Sequence, residues 1–175
     1  MFNIGDLVFY SREGICRVDD VCEKNITGVK KIYYVLHPME ECKLKISIPV
    51  DNEKVLMLQI LNRQEAEEIL ESFKTYGIGW IEENKERSQV YSEIVKKGNR
   101  KEISMIVNTM MREKSMVELN GGKLYEKDKK FLDTIQSMLF RELALVLERT
   151  FETINEVVLK YIRESQQINL DVRIL

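Results

Sequence analysis

Between residues 6 and 61, apolar positions cluster in short β-rich runs, at 7–10, 15–22, 30–36, 43–49 and 55–61, separated by polar turn segments. In the fourth run Leu44, Ile46 and Ile48 alternate with Lys43, Lys45 and Ser47. A period of two gives a strand one buried face and one polar, basic face. Turn-forming groups separate the runs: Ser11-Arg12-Glu13-Gly14, Asn25-Ile26-Thr27-Gly28, His37-Pro38 and Asp51-Asn52. Pro49, which has no N–H for a ladder, ends the fourth strand or marks an edge. Five short strands in so few residues predict a small, strongly bent antiparallel β-barrel.

After Leu61 the period becomes helical. Asn62 followed by Glu65 has the form of a capping box, and Ala66, Ile69, Leu70 and Phe73 then recur at helical spacing, with Gly77 and Gly79 ending the helix. A second helix is predicted over 83–97 and stops at Gly98. Asn99 with Glu102 repeats the cap, and Ile103, Ile106, Val107, Met110 and Met111 form the apolar stripe of a third. Further helices are predicted from about Glu126, carrying Phe131, Leu132, Ile135, Met138, Leu139 and Leu143, and from about Thr153 through Ile162. The expected fold is α+β: a β-barrel over 1–61, an all-helical bundle over 62–165 and a tail over 166–175.

With 175 residues, one ordinary domain or two small ones are possible, so the change of period decides for two. The net charge of −2 excludes a uniformly basic nucleic-acid binder but not a local patch. Segment 85–130 holds 12 basic against 7 acidic residues, whereas 62–84 holds 2 against 6. Lys85, Arg87, Lys96, Lys97, Arg100 and Lys101 flank a helix end and the next helix start, and Lys123, Lys127, Lys129 and Lys130 surround another start. Helix starts present free N–H groups, which together with lysines suit phosphate oxygens; a solvated helix surface is the plainer reading of the same charges. Trp80, the single tryptophan, follows Gly77-Ile78-Gly79 and reads either as a core residue or as an apolar wedge against an unstacked base step.

The opening residues lack a signal-peptide pattern and no apolar run approaches the ~18 residues of a membrane span, so a cytoplasmic protein is expected. Cys16, Cys22 and Cys42 match no zinc or redox spacing and are expected as thiols that serve in packing. Asn120-Gly121-Gly122-Lys123 lacks the upstream glycine and following Ser or Thr of a phosphate-binding loop and reads as an interhelical connection. Catalysis would have to rest on His37 and Cys42, for which no orienting group is visible; no enzyme activity, metal or cofactor is expected.

The opening F-x-x-G-D-x-V-x-Y-x-x-x-G (Phe2, Gly5, Asp6, Val8, Tyr10, Gly14) precedes Gly28, Tyr33-x-Val35-Leu36 and the I-x-I-P of Ile46 to Pro49. Lys96 to Ile103, Asp128 to Leu132 and Arg141 to Leu145 supply further motifs in the helical half. In order and spacing these resemble the CarD/CdnL family of bacterial transcription regulators over residues 1 to about 162. The resemblance implies a Tudor-like, SH3-like barrel, shared with transcription-repair coupling factors, that binds the RNA polymerase β subunit. It also implies a monomer whose helical domain contacts the upstream edge of the promoter bubble, without sequence specificity, and stabilises the open complex. Lys24 and Ser47 stand where family members have a polymerase-facing arginine pair, with Lys43 and Lys45 as compensating charges. The family's W-x-x-R falls on Asn84-Lys85-Glu86-Arg87, with Trp80 one helical turn earlier. The DNA-contacting set is then Trp80, Lys85, Arg87, Lys96, Lys97, Arg100, Lys101, Lys129 and Lys130. The alternative is a protein–protein adaptor whose barrel docks a partner and whose bundle is a scaffold without DNA contact.

Overall fold

A computed structural model describes residues 1–10, 13–26, 28–52 and 56–174, with side chains through Gln166. The chain divides into two compact units, Met1–Ile60 and Leu61–Leu175.

In the first unit the strands are β1 (Leu7–Tyr10), β2 (Gly14–Ile26), β3 (Val29–Pro38), β4 (Ile46–Pro49) and β5 (Met57–Gln59). They form one antiparallel sheet in the order β4-β3-β2-β1-β5. The expected barrel is therefore an open sheet with β4 and β5 as its edges. Val8, Tyr10, Cys16, Val18, Tyr34, Leu36 and Ile48 form the core, against which Phe2 packs edge-on to Tyr34 with ring centroids 5.9 Å apart. Cys16 is buried, which pushes its thiol up to about 11, whereas Cys42 is exposed rather than buried. All three cysteines are free thiols.

Two strand limits differ from expectation. Leu44 N–H donates to the Glu41 carbonyl at 2.9 Å, and this turn takes Lys43, Leu44 and Lys45 out of β4, leaving Leu44 exposed rather than buried. His37-Pro38 ends β3 instead of interrupting the chain. β4 pairs only with Tyr33 to Leu36, so Pro38 lies beyond the paired stretch and its missing N–H leaves no ladder bond unmade.

In the second unit the helices are α1 (Arg63–Ser72), α2 (Asn84–Lys96), α3 (Arg100–Leu119), α4 (Glu126–Val146) and α5 (Phe151–Ile174). The capping box at α1 is present: Asn62 Oδ1 accepts from Glu65 N–H and Glu65 accepts from Asn62 N–H, both at 2.9 Å. α1 stops at Ser72, before the glycines, with Phe73 as its C-cap turned into the core. Asn99 caps α3 as expected, and Gly98 adopts φ +72° after α2. Gly121 at φ +75° and Gly122, which donates to Val117 O at 2.9 Å, close the end of α3, so the glycine pair is a helix cap. α5 continues as helix to Ile174 through the stretch expected as a tail. No described helix is long and apolar enough to cross a membrane.

Candidate functional site

Residues 73–83, which join α1 to α2 and carry Trp80, are irregular in backbone yet fixed by side chains from two helices. From α3, Asn108 Nδ2 donates to Thr75 O at 2.8 Å, Thr109 Oγ1 to Ile78 O at 2.6 Å, and Arg112 Nη2 to Phe73 O and Thr75 O at 3.0 and 3.1 Å. From α2, Tyr91 OH donates to Gly79 O at 3.0 Å, and Arg87 Nη1 to Ile81 O and Glu82 O at 2.5 and 3.1 Å. Backbone that follows no helix or strand needs such partners when it is covered. Gly77 is required here by space: a Cβ would stand 2.1 Å from Met105 O and 2.5 Å from Thr109 Oγ1.

The result is a Trp80 side chain that is half-buried against the helical core. Arg87 Cζ lies 4.0 Å from the Trp80 ring centroid, a cation–π contact. Trp80 is thus neither a fully buried core residue nor a free wedge. The family-register position Asn84 is occupied by a partner of the same arginine, since Arg87 Nη2 donates to Asn84 Oδ1 at 2.5 Å.

Two arginines of the expected DNA-contacting set are withdrawn from it. Arg87 is 2% exposed and pairs with Asp128 of α4 at 2.5 Å, and Arg100 is 9% exposed and pairs with Glu142 at 3.0 Å. A buried guanidinium already shared with a carboxylate has no N–H fork to offer phosphate. Glu142 also accepts from Leu61 N–H at 3.0 Å, so the second pair fixes the start of this unit. Lys101 is exposed but bound to Glu68 at 2.9 Å. Lys85, Lys96, Lys97 and Lys129 are exposed and have no ion pair among the described residues, and Lys130 reaches Glu126 only at 3.9 Å.

These lysines do not make one patch. Lys85 and Lys96 stand at opposite ends of α2, about 17 Å apart along the axis. The Arg87–Asp128 pair ties the start of α2 to the start of α4, so Lys85, Lys129 and Lys130 gather at the Trp80 end, while Lys96, Lys97 and Lys101 belong to the far end. The helix starts differ too. Glu83 caps α2 by accepting Glu86 N–H at 2.5 Å, and the Glu86 and Lys85 amides hold its carboxyl below the usual range. Asn99 caps α3, so only α4, whose Tyr125 makes no side-chain cap, keeps the N–H groups expected to face phosphate.

In the sheet unit, Lys24 Nζ donates to Ser47 Oγ at 2.7 Å, so the two positions singled out by the family register meet on one face. Lys31 binds Asp51 beside them at 2.8 Å and holds its carboxyl below the ordinary range. Lys43 and Lys45 are exposed but lie before β4, not on its outer face. His37 shares a 2.7 Å hydrogen bond with Asp19, which a bulge between Val18 and Asp20 sets out of register. Asp19 is the orienting group that sequence reading did not find for His37; Cys42 contacts Met39 O instead. Among the described residues, no group of three or more His, Cys, Asp or Glu is placed to hold a metal ion.

Sequence reading missed Asn108, Thr109 and Arg112 as supports of the Trp80 loop. Their signal was present: three polar residues at i, i+1 and i+4 interrupt the apolar stripe of α3.

No curated protein matches the chain. Residues 2–61, which span the sheet unit, match the family model of the CarD-like/TRCF RID domain, and this likeness groups the N-terminal unit with the RNA polymerase-interacting modules of transcription regulators.

Proposed function

We propose that the chain regulates transcription by holding the RNA polymerase β subunit through its sheet unit and stabilising the promoter open complex through its helical unit. The helical contacts are with the upstream edge of the bubble and carry no sequence information. The observation that carries the DNA half is the half-exposed Trp80 on a loop pinned by Asn108, Thr109, Arg112, Tyr91 and Arg87, next to Lys85, Lys129 and Lys130. A preorganised aromatic beside exposed lysines suits a junction where bases unstack and phosphates converge. The polymerase half is supported by the domain match and by β4, an edge strand whose outward Ser47 is joined to Lys24. Strand addition at such an edge gives affinity through backbone bonds, with Lys24, Lys43 and Lys45 governing association rate and salt response.

The test is open-complex lifetime with intact chain and polymerase. Replacing Lys129 and Lys130 by Ala should shorten the lifetime on most promoters to a similar degree, flatten its salt dependence and leave melting unchanged. Reversing Lys43 and Lys45 to Glu should weaken capture of core polymerase. Capture that persists while forked promoter DNA is never contacted would favour the adaptor without DNA contact.

A further inference from the structure

Two lysines face each other across the sheet unit. In the antiparallel register Lys24 of β2 stands directly opposite Lys31 of β3, and like charges so placed destabilise a sheet. Lys31 is relieved by a carboxylate, Asp51, at 2.8 Å. Lys24 meets only a hydroxyl: its Nζ donates to Ser47 Oγ at 2.7 Å, and among the described residues no carboxylate forms an ion pair with it. A hydroxyl satisfies one N–H of an ammonium but cancels none of its charge.

The same hydroxyl is open to chemistry. Ser47 is exposed within β4, and β4 is an edge of the sheet, with no described strand on its outer side. An exposed hydroxyl on an extended edge is within reach of an enzyme that binds its substrate as an added strand. Lys43 and Lys45, both exposed, lie just before β4, so Ser47 sits among lysines of which none but Lys31 has a carboxylate partner among the described residues.

We propose that Ser47 is a phosphoacceptor, and that phosphate on it releases the sheet unit from polymerase. In the step, Ser47 Oγ attacks the γ-phosphorus of a nucleoside triphosphate held by a protein kinase. The Oγ–P bond forms, the bond to the nucleoside diphosphate breaks with its electron pair staying on the diphosphate, and the Oγ proton passes to the kinase's base. The product carries a charge of about −1.5 to −2 at pH 7 and three acceptor oxygens. Lys24 Nζ, already at the oxygen, then makes a charge-assisted ion pair, and each of the two facing lysines has its counter-charge. What stabilises the free chain disables its docking edge: Lys24 is taken up internally, and the remaining negative charge opposes the attraction of Lys43 and Lys45 for an acidic partner. The proposal rests on the polymerase-docking reading above and adds how that contact is regulated.

The experiment compares the unmodified full chain with the full chain carrying phosphoserine installed at position 47 during translation. Capture of core polymerase should weaken roughly tenfold or more in the phosphorylated chain and return after phosphatase treatment. Titration followed by ³¹P NMR should give a second phosphate pKa below the value of about 6 for an unpaired phosphoserine, and Lys24→Gln should bring it back up. The melting temperature of the phosphorylated chain should be no lower than that of the unmodified one, which separates lost docking from lost folding. Mass spectrometry of the chain isolated from its own cells should find phosphate on the peptide that holds Ser47. Equal capture of the two chains, a melting temperature that falls with the phosphate, or no phosphate on Ser47 at any growth phase overturns the proposal while leaving polymerase docking standing. Failure of the unmodified chain to capture polymerase overturns the docking reading itself, and the proposed release with it.

Discussion

Arg87→Ala tests whether the arginine of the family register is a structural member or a phosphate contact. Its guanidinium reaches both oxygens of Asp128, at 3.4 and 2.5 Å, the carbonyls of Ile81 and Glu82, and Asn84 Oδ1. Truncation leaves Asp128, whose side chain is 7% exposed, as an uncompensated buried carboxylate and orphans two carbonyls of the Trp80 loop. Removing one member of such a pair costs about 3–5 kcal/mol. Set against roughly 5–15 kcal/mol for a whole domain, this is a large fraction of the stability. For a helical unit of this size it should lower the melting temperature by roughly 12–20 °C, followed by circular dichroism at 222 nm. Arg87→Leu combined with Asp128→Leu should recover most of the loss, because the desolvation of two charges is removed along with their attraction. A loss below about 1 kcal/mol for Arg87→Ala, the size of a surface pair, would refute the buried pairing and return Arg87 to the DNA-contacting set.

Three further outcomes follow from particular positions. Gly77→Ala forces a methyl group into Met105 O, so the 73–83 loop should leave α3 and the Trp80 emission should shift to the red even where the helical signal survives; an unshifted spectrum would show that the loop tolerates the methyl. Glu148 is the one described non-glycine residue at positive φ, +54°, after α4, with Arg149 N–H on Ala144 O and Glu148 N–H on Leu145 O. Glu148→Gly should raise stability by up to about 1 kcal/mol in urea denaturation, and a loss would mean that the side chain itself is needed. Glu68, Glu71 and Glu83 are held below the usual carboxylate range by Lys101, Lys74 and the α2 amides respectively. Their contribution is present above the unfolded value near 4.3 and is lost as pH falls through the lower folded values, so melting temperature should fall from pH 5 toward pH 3, less steeply in Glu83→Gln.

Local signals carried the two-part organisation into view: the short β-rich runs up to Leu61, the box at Asn62 and the cap at Asn99 each act within one turn or strand. What stayed hidden depends on partners far along the chain. Lys43 and Lys45 alternate with apolar residues as a strand would, but the turn at Glu41 fixes where β4 begins. Arg87 and Arg100 look like the surface cations beside them, and only the arrival of Asp128 and Glu142, 41 and 42 residues later, shows that they are interior. The sheet pairing was out of reach for a similar reason: a strand pattern says which face is apolar, but not that the two edge strands stay apart.

Within segment 85–130, the arginines and lysines separate completely by environment. All three arginines, Arg87, Arg100 and Arg112, are buried, and the nine remaining cations are lysines. The chemistry explains the division, since a planar guanidinium with five donors can satisfy several interior acceptors at once, whereas a lysine ammonium is a strongly hydrated point charge. A DNA-facing surface built from such lysines lacks the forked donors that read a guanine edge, so it can hold phosphate but not choose sequence. Each contact is also weak and screened by salt. On the proposed reading, such a surface acts at promoters only when another part of the chain delivers it there, and a sheet unit bound to polymerase would do so by raising its effective concentration at the bubble. Separating the two units should therefore abolish the effect on open complexes at concentrations where the intact chain is active, even though neither binding surface has been altered.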